Sequence, residues 1–165
     1  MKLRHVLLVA ILMCALVQAI YYYPRLPDRV ASHFDARGQV DGWGTRNEFF
    51  AIEGVLMIGL ALLTLFVDWL VPRMPASLVN MPNKDYWFAP ERRAATNRVM
   101  QSWVSTFMLL SLGFVVYVLQ LAILVNVTGD ADYMFIPMWA GLGIFLLITT
   151  VMSIQLILQF RKPRE

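Results

Sequence analysis

His33, Asp35 and Asp41 are the closest grouping of residues able to do chemistry in this chain. On a strand His33 and Asp35, two apart, face the same way. Asp41 would add a second carboxylate, and one histidine with two carboxylates is a thin ligand set for zinc. A structural role is the leading expectation: the imidazole caps a turn or pairs with Asp35 or Asp41. Partner recognition comes next, and metal binding last. Ser32 precedes His33 and points to the opposite face of a strand, so no nucleophilic Ser-His-Asp set is expected. The other histidine, His5, is separated from His33 by a long apolar run. The lone Cys14 cannot form an intrachain bridge or a cysteine cluster. Glu53 and Asp68 lie in an otherwise apolar segment, where a carboxylate is costly and a functional candidate by default. Gln120 or Asn126 would bond Glu53, and Arg73 or Arg98 would pair with Asp68. Inter-helix bonding is their expected role, and ion or proton passage through Glu53 is the alternative. No nucleophile–base pair, phosphate loop or metal cluster emerges, so neither an enzyme nor a cofactor is expected.

The composition says what must position these residues. Of 165 residues 59% are hydrophobic and 15% charged, against about 45–50% and about a quarter in soluble domains. Lipid must therefore be part of the solvent. A bilayer core needs roughly 20 apolar residues in a helix, and four stretches supply them: 5–23, 50–71, 100–125 and 135–160. Backbone groups in lipid must be paired within the segment, so these spans are helices. The chain reads as an all-α integral membrane protein, one membrane domain over 1–165 with four transmembrane helices. Loops 24–49 and 126–134 lie on one side, and loop 72–99 on the other. Lys2, Arg4, Arg73, Lys84, Arg92, Arg93, Arg98, Arg161, Lys162 and Arg164 share the side of the termini, against Arg25, Arg29, Arg37 and Arg46 across. That asymmetry places both termini in the cytoplasm. Trp69, Trp87 and Trp103 fall near the inner surface and Trp43 and Trp139 near the outer one, as interfacial indoles do. The first span also reads as a signal peptide with Val17-Gln18-Ala19 as its cleavage site. Tyr21, Tyr22 and Tyr23 extend it as an anchored helix would be extended.

Two loops are informative. Pro24 and Pro27 stop the first helix. Val30–Phe34 reads as a strand, Asp35–Gly38 as a turn and Gln39–Asp41 as the returning strand, forming a small outer-loop hairpin between helices 1 and 2. Gly42-Trp43-Gly44 then bends the chain toward the membrane. Thr45 and Glu48 form a capping box that starts the second helix. In the inner loop Tyr86-Trp87-Phe88 suits the headgroup region, and Pro90 and Glu91 suit a helix start. Trp87, Arg92 and Arg93 anchor the chain on anionic lipid or, on a sharper reading, dock a cytoplasmic protein. Pairs of small residues, Ala15 with Ala19, Ser102 with Thr106 and Thr149 with Ser153, permit close helix approach.

Leu26-Pro27-Asp28-Arg29-Val30, then His33-Phe34, Gly38 and Asp41-Gly42-Trp43-Gly44, resemble the outer-loop motif of a bacterial membrane family of unknown function. Asn83-Lys84-Asp85-Tyr86-Trp87 and Pro90-Glu91-Arg92-Arg93 are similar to the inner-loop pattern of its short members. The same module forms the N-terminal part of SdpI-type proteins, which protect a cell against a secreted peptide toxin and signal its presence. SdpI-type proteins have further C-terminal spans that this chain lacks. The resemblance implies a bacterial cytoplasmic membrane and a binding or protective role. His33, Phe34, Asp35, Asp41 and Trp43 would meet an extracellular peptide or envelope partner, while Trp87, Arg92 and Arg93 would report occupancy. An accessory subunit of a larger complex is the alternative, and a small transporter using Glu53 the next. A second copy is a further possible partner; nucleic acid is not. Reporter fusions check the topology: those after Asn47 and Asp130 are expected to read as external, and those after Asn83 and Glu165 as internal.

Overall fold

The computed structural model describes residues 3–161. Lys2, Lys162 and Arg164 from the charge argument lie outside the described residues. The chain runs α1 (Leu3–Tyr22), β1 (Arg29–Phe34), β2 (Val40–Thr45), α2 (Arg46–Leu70), the short α3 (Lys84–Trp87), α4 (Pro90–Thr128) and α5 (Asp132–Arg161). Four helices, α1, α2, α4 and α5, are long and apolar enough to cross a membrane. This is the architecture of a multi-pass membrane protein with a two-stranded hairpin between its first two spans.

Local chemistry sets the boundaries. Pro24 ends α1 in a 3-10 turn over Tyr23–Arg25. The capping box starts α2 as expected: Glu48 N–H donates to Thr45 Oγ1 at 3.2 Å, and Thr45 N–H donates to Glu48 Oε2 at 2.8 Å. Pro90 sits in the first turn of α4, and Gly129, at φ +73°, closes its far end. The 39 residues of α4 run to about 58 Å at 1.5 Å per residue. That is longer than the ~30 Å hydrocarbon layer, so α4 carries its polar first turns beyond it.

α4 is the central helix, with α1, α2 and α5 each packed on it. The core divides in two. On the hairpin side Leu26, Val30, Phe49, Leu121, Ile123, Val125 and Met134 are buried together. Toward the opposite side Leu8, Ala15, Met57, Ala61, Leu112 and Val116 form the second half. The polar small residues mostly bond their own helix: Thr106 Oγ1 donates to Ser102 O at 2.9 Å and Ser153 Oγ to Thr149 O at 2.7 Å.

The hairpin departs from expectation in one respect. Gly42-Trp43-Gly44 does not bend away; it is part of β2. His33 pairs with Gly42, Phe34 with Val40 and Ala31 with Trp43, with register irregularities on either side of His33. A Cβ on Gly42 would lie 2.7 Å from the His33 Cβ, so the missing side chain is what lets the strands close here.

A two-stranded hairpin is marginal by itself in water, and Asn126 at the end of α4 holds this one. Its Oδ1 accepts the Ala31 N–H at 2.6 Å, while its Nδ2 donates to Ala31 O at 2.9 Å and Ala122 O at 2.8 Å. Asn126 was expected to bond Glu53; the side chain is instead committed to β1. Asn126→Leu should cost about 1–3 kcal/mol, since it strips both bonds from a buried peptide group. Thermal unfolding in detergent and amide exchange at Ala31 check this. Unchanged protection at Ala31 would refute the clamp.

Candidate functional site

The hairpin roofs a cavity of about 440 Å³ bounded by α2, α4 and α5, within the range of ligand pockets. Its walls are mainly apolar: Phe49, Leu119, Ala122, Met134, Phe135 and Met138. His33, Phe34 and Asp35 from the hairpin and Trp139 from α5 complete the lining.

The turn reaches α5 by two contacts. Gly38, at φ +78°, faces Phe135 so closely that a Cβ would lie 3.1 Å from its backbone nitrogen. The left-handed conformation favours glycine, and the short approach leaves little room for a side chain. Trp139 Nε1–H donates to Ala36 O at 3.3 Å.

The motif residues divide by role. Leu26, Val30 and Ala31 are buried against the helix ends. Phe34 packs against the same cluster. Asp35 does not join His33. Its Oδ1 accepts the N–H groups of Arg37 and Gln39, each at 2.8 Å, and so builds the turn. The reason is local: Asp35 begins the turn rather than continuing the strand, and a short acidic side chain there bonds the following backbone. His33 Nδ1 bonds Asp41 Oδ1, yet its side chain is 73% exposed and that of Asp41 47%. Trp43 is exposed, with the Arg29 guanidinium 5.3 Å from its ring centroid. His33, Asp41 and Trp43 thus present a polar and aromatic surface on the hairpin. No group of three or more metal-ligating side chains forms among the described residues.

The residues predicted at the other end are bound within the chain. Trp87 Nε1–H donates to Phe160 O at 2.9 Å, and its ring meets the Phe160 ring edge-on. Arg92 bonds Glu91 and lies over the Tyr86 ring, 4.0 Å from its centroid. Arg93 donates to Met74 O at 3.5 Å. Trp87 therefore fastens the loop to the end of α5 in addition to any role at a surface.

Both intramembrane carboxylates have unexpected surroundings. Asp68 pairs with Arg4 at 2.6 Å and accepts from Ser105 Oγ at 2.8 Å, with His5 Nε2 3.7 Å away. Arg73, an expected partner, bends back to donate to Trp69 O at 2.6 Å, which the turn after α2 makes the shorter reach. Arg98 is likewise not the partner; α1 brings its own cation to α2. Glu53 is buried, and neither carboxyl oxygen has a hydrogen-bond partner. Gln120 does not bond it, because its amide is taken up by α1: it accepts from Gln18 Nε2 at 2.8 Å and donates to Tyr22 Oη at 3.2 Å.

Sequence reasoning missed the cavity walls contributed by α4 and α5, and it missed Gln18 as a buried polar group. The four-residue spacing of Met134 and Met138 gave a faint signal of a shared face. Nothing in the sequence paired that face with the hairpin.

The burial pattern predicts which motif positions hold the fold. Leu26→Ala should cost about 2–5 kcal/mol, because it empties a packed site. His33→Ala should cost no more than about 1 kcal/mol, because its pairing is solvent-exposed. Unfolding midpoints of the two variants, compared with wild type, check this. A larger loss for His33→Ala would make that residue architectural.

Residues 8–58 match a family described as a domain of unknown function, DUF1648. The matched stretch takes in most of α1, the whole hairpin and the first half of α2. No curated protein matches the chain, and no solved structure does.

Proposed function

We propose that this chain is a membrane binding or protective protein, and not an enzyme. In this reading the hairpin recognises an extracellular peptide or envelope partner, and the cavity beneath it receives an apolar group of that partner. The observation that carries it is the joining of two unlike surfaces. Exposed His33, Asp41 and Trp43 lie on the hairpin that roofs an apolar cavity of about 440 Å³. A membrane-active peptide has the matching chemistry, a polar backbone with large apolar side chains. The resemblance to SdpI-type proteins supports a protective or sensing role of this kind. We further propose a bacterial cytoplasmic membrane with both termini inside and α1 retained, since α1 supplies Leu8 and Ala15 to the core.

A second reading, an accessory subunit of a larger membrane complex, is favoured by α5. It packs chiefly against α4 and leaves Ile136, Ile144 and Leu147 exposed. That face is open to lipid or to the helices of a larger complex.

The test is survival of cells expressing the full chain when challenged with a panel of secreted membrane-active peptides. Wild type should protect against at least one member. His33→Ala, Trp43→Ala and the cavity-filling Ala122→Phe should protect less at equal membrane abundance. Equal protection by all three variants would remove the hairpin and cavity from the recognition event.

A further inference from the structure

Three helices bring polar side chains, buried on α1 and α2 and half-buried on α4, to one level between the two halves of the core. On α2 the buried positions are Phe49, Glu53, Met57, Ala61 and Thr64. Phe49 belongs to the hairpin-side half and Met57 to the other, so Glu53, one turn from each, lies at their boundary. On α1 Gln18 falls between Ala15 of one half and Tyr22, which packs on the other. On α4 Gln120 falls between Val116 and Leu121 in the same way.

The oxygens at this level are undersupplied with donors. Glu53 is 3% exposed and Gln18 7%. Glu53 Oε1, Glu53 Oε2 and Gln18 Oε1 are all buried without a hydrogen-bond partner. Gln120 Oε1 accepts once, from Gln18, and an amide oxygen has a second lone pair. Leaving such groups unpaired in a low-dielectric interior is expensive.

The surrounding charged groups do not relieve Glu53. At its level α1 offers Gln18 and Tyr22, and α4 offers Gln120. The strands packed on α2 carry Arg29, His33 and Asp41, of which His33 bonds Asp41 and Arg29 lies over Trp43. On α2 itself, Arg46 bonds Asp28 and Leu26 O, and Glu48 is in its capping box. Toward the other end, Arg4 pairs with Asp68, near His5, and Arg73 bonds Trp69 O.

We propose that Glu53, Gln18 and Gln120 form a buried site for a small hard monovalent cation, such as sodium. An oxygen-only donor set, without thiolate or imidazole, suits a hard ion. One carboxylate with two neutral amides balances a single positive charge, whereas a divalent ion would leave a buried excess. A proton carried by Glu53 is the competing source of that charge. It reaches one acceptor at a time, whereas a cation would be shared by the Glu53 carboxylate and the Gln18 amide oxygen. The site does not depend on the hairpin cavity or on its ligand.

The purified full chain in detergent provides the test. Thermal unfolding is followed while sodium chloride replaces choline chloride at constant ionic strength, which holds screening fixed. Wild type should show a saturable rise of a few degrees in Tm, because a ligand of the folded state stabilises it. Glu53→Gln and Gln18→Leu should lose that rise. Calorimetric titration of wild type with sodium should give a saturable heat, and it decides the matter by itself if either variant fails to fold. Wild type that is stabilised on acidification but indifferent to sodium would overturn the cation site in favour of protonation. Indifference to both would reduce the layer to inter-helix bonding.

Discussion

The amide of Asn126 binds the peptide group of Ala31 on both sides, donating to its carbonyl and accepting from its N–H. The hairpin side depends on that contact. Two strands of six residues do not hold together alone in water. Asn126 gives β1 a substitute neighbour, and Leu26 and Val30 pack their side chains onto the helix ends below. Arg46 secures the approach to the hairpin, donating to Leu26 O at 2.9 Å and to Asp28 Oδ1 at 3.0 Å. With β1 docked on α4, the turn reaches α5 and the space between them becomes a partly open cavity. A hairpin free to swing would leave only an open apolar surface.

The same helix governs the rest of the molecule. α4 receives α1 and α2 on its buried side and α5 along another. Apolar contact between helices has little advantage over contact with lipid, so close approach and polar bonds carry association. Both occur here. The Tyr117 ring lies against Gly141, where a side chain would have no room, and Tyr117 O–H donates to Pro137 O at 2.7 Å. At the end opposite the hairpin, Arg4, Asp68 and Ser105 join α1, α2 and α4. Gln101 Nε2 adds a bond to Asp68 O at 2.7 Å. Between these ends lies the layer of Gln18, Glu53 and Gln120, where three buried oxygens, two of Glu53 and one of Gln18, lack a hydrogen-bond partner.

The sequence by itself determined the four apolar helices, because length and hydropathy need no knowledge of neighbours. It determined the capping box at Thr45 and Glu48 and the start of α4 at Pro90, since caps are local bonds within a few residues. It placed a hairpin between the first two spans and identified Asp41 as one of two partners for His33. β2 extends through Gly42 and Gly44, residues that usually signal a bend; at Gly42 the missing side chain lets the strands close over His33. Only the tertiary structure decided which helices touch. It gave Asp68 to Arg4 rather than to Arg73 or Arg98, and it gave Gln120 to Gln18 and Tyr22 rather than to Glu53. It also turned Asn126 toward β1 and gathered the lining of a cavity from four separated segments. Periodicity in one segment reports that a face is buried, whereas the partner on that face follows from helix packing between residues far apart in the chain, such as Gln18 and Gln120, 102 residues apart.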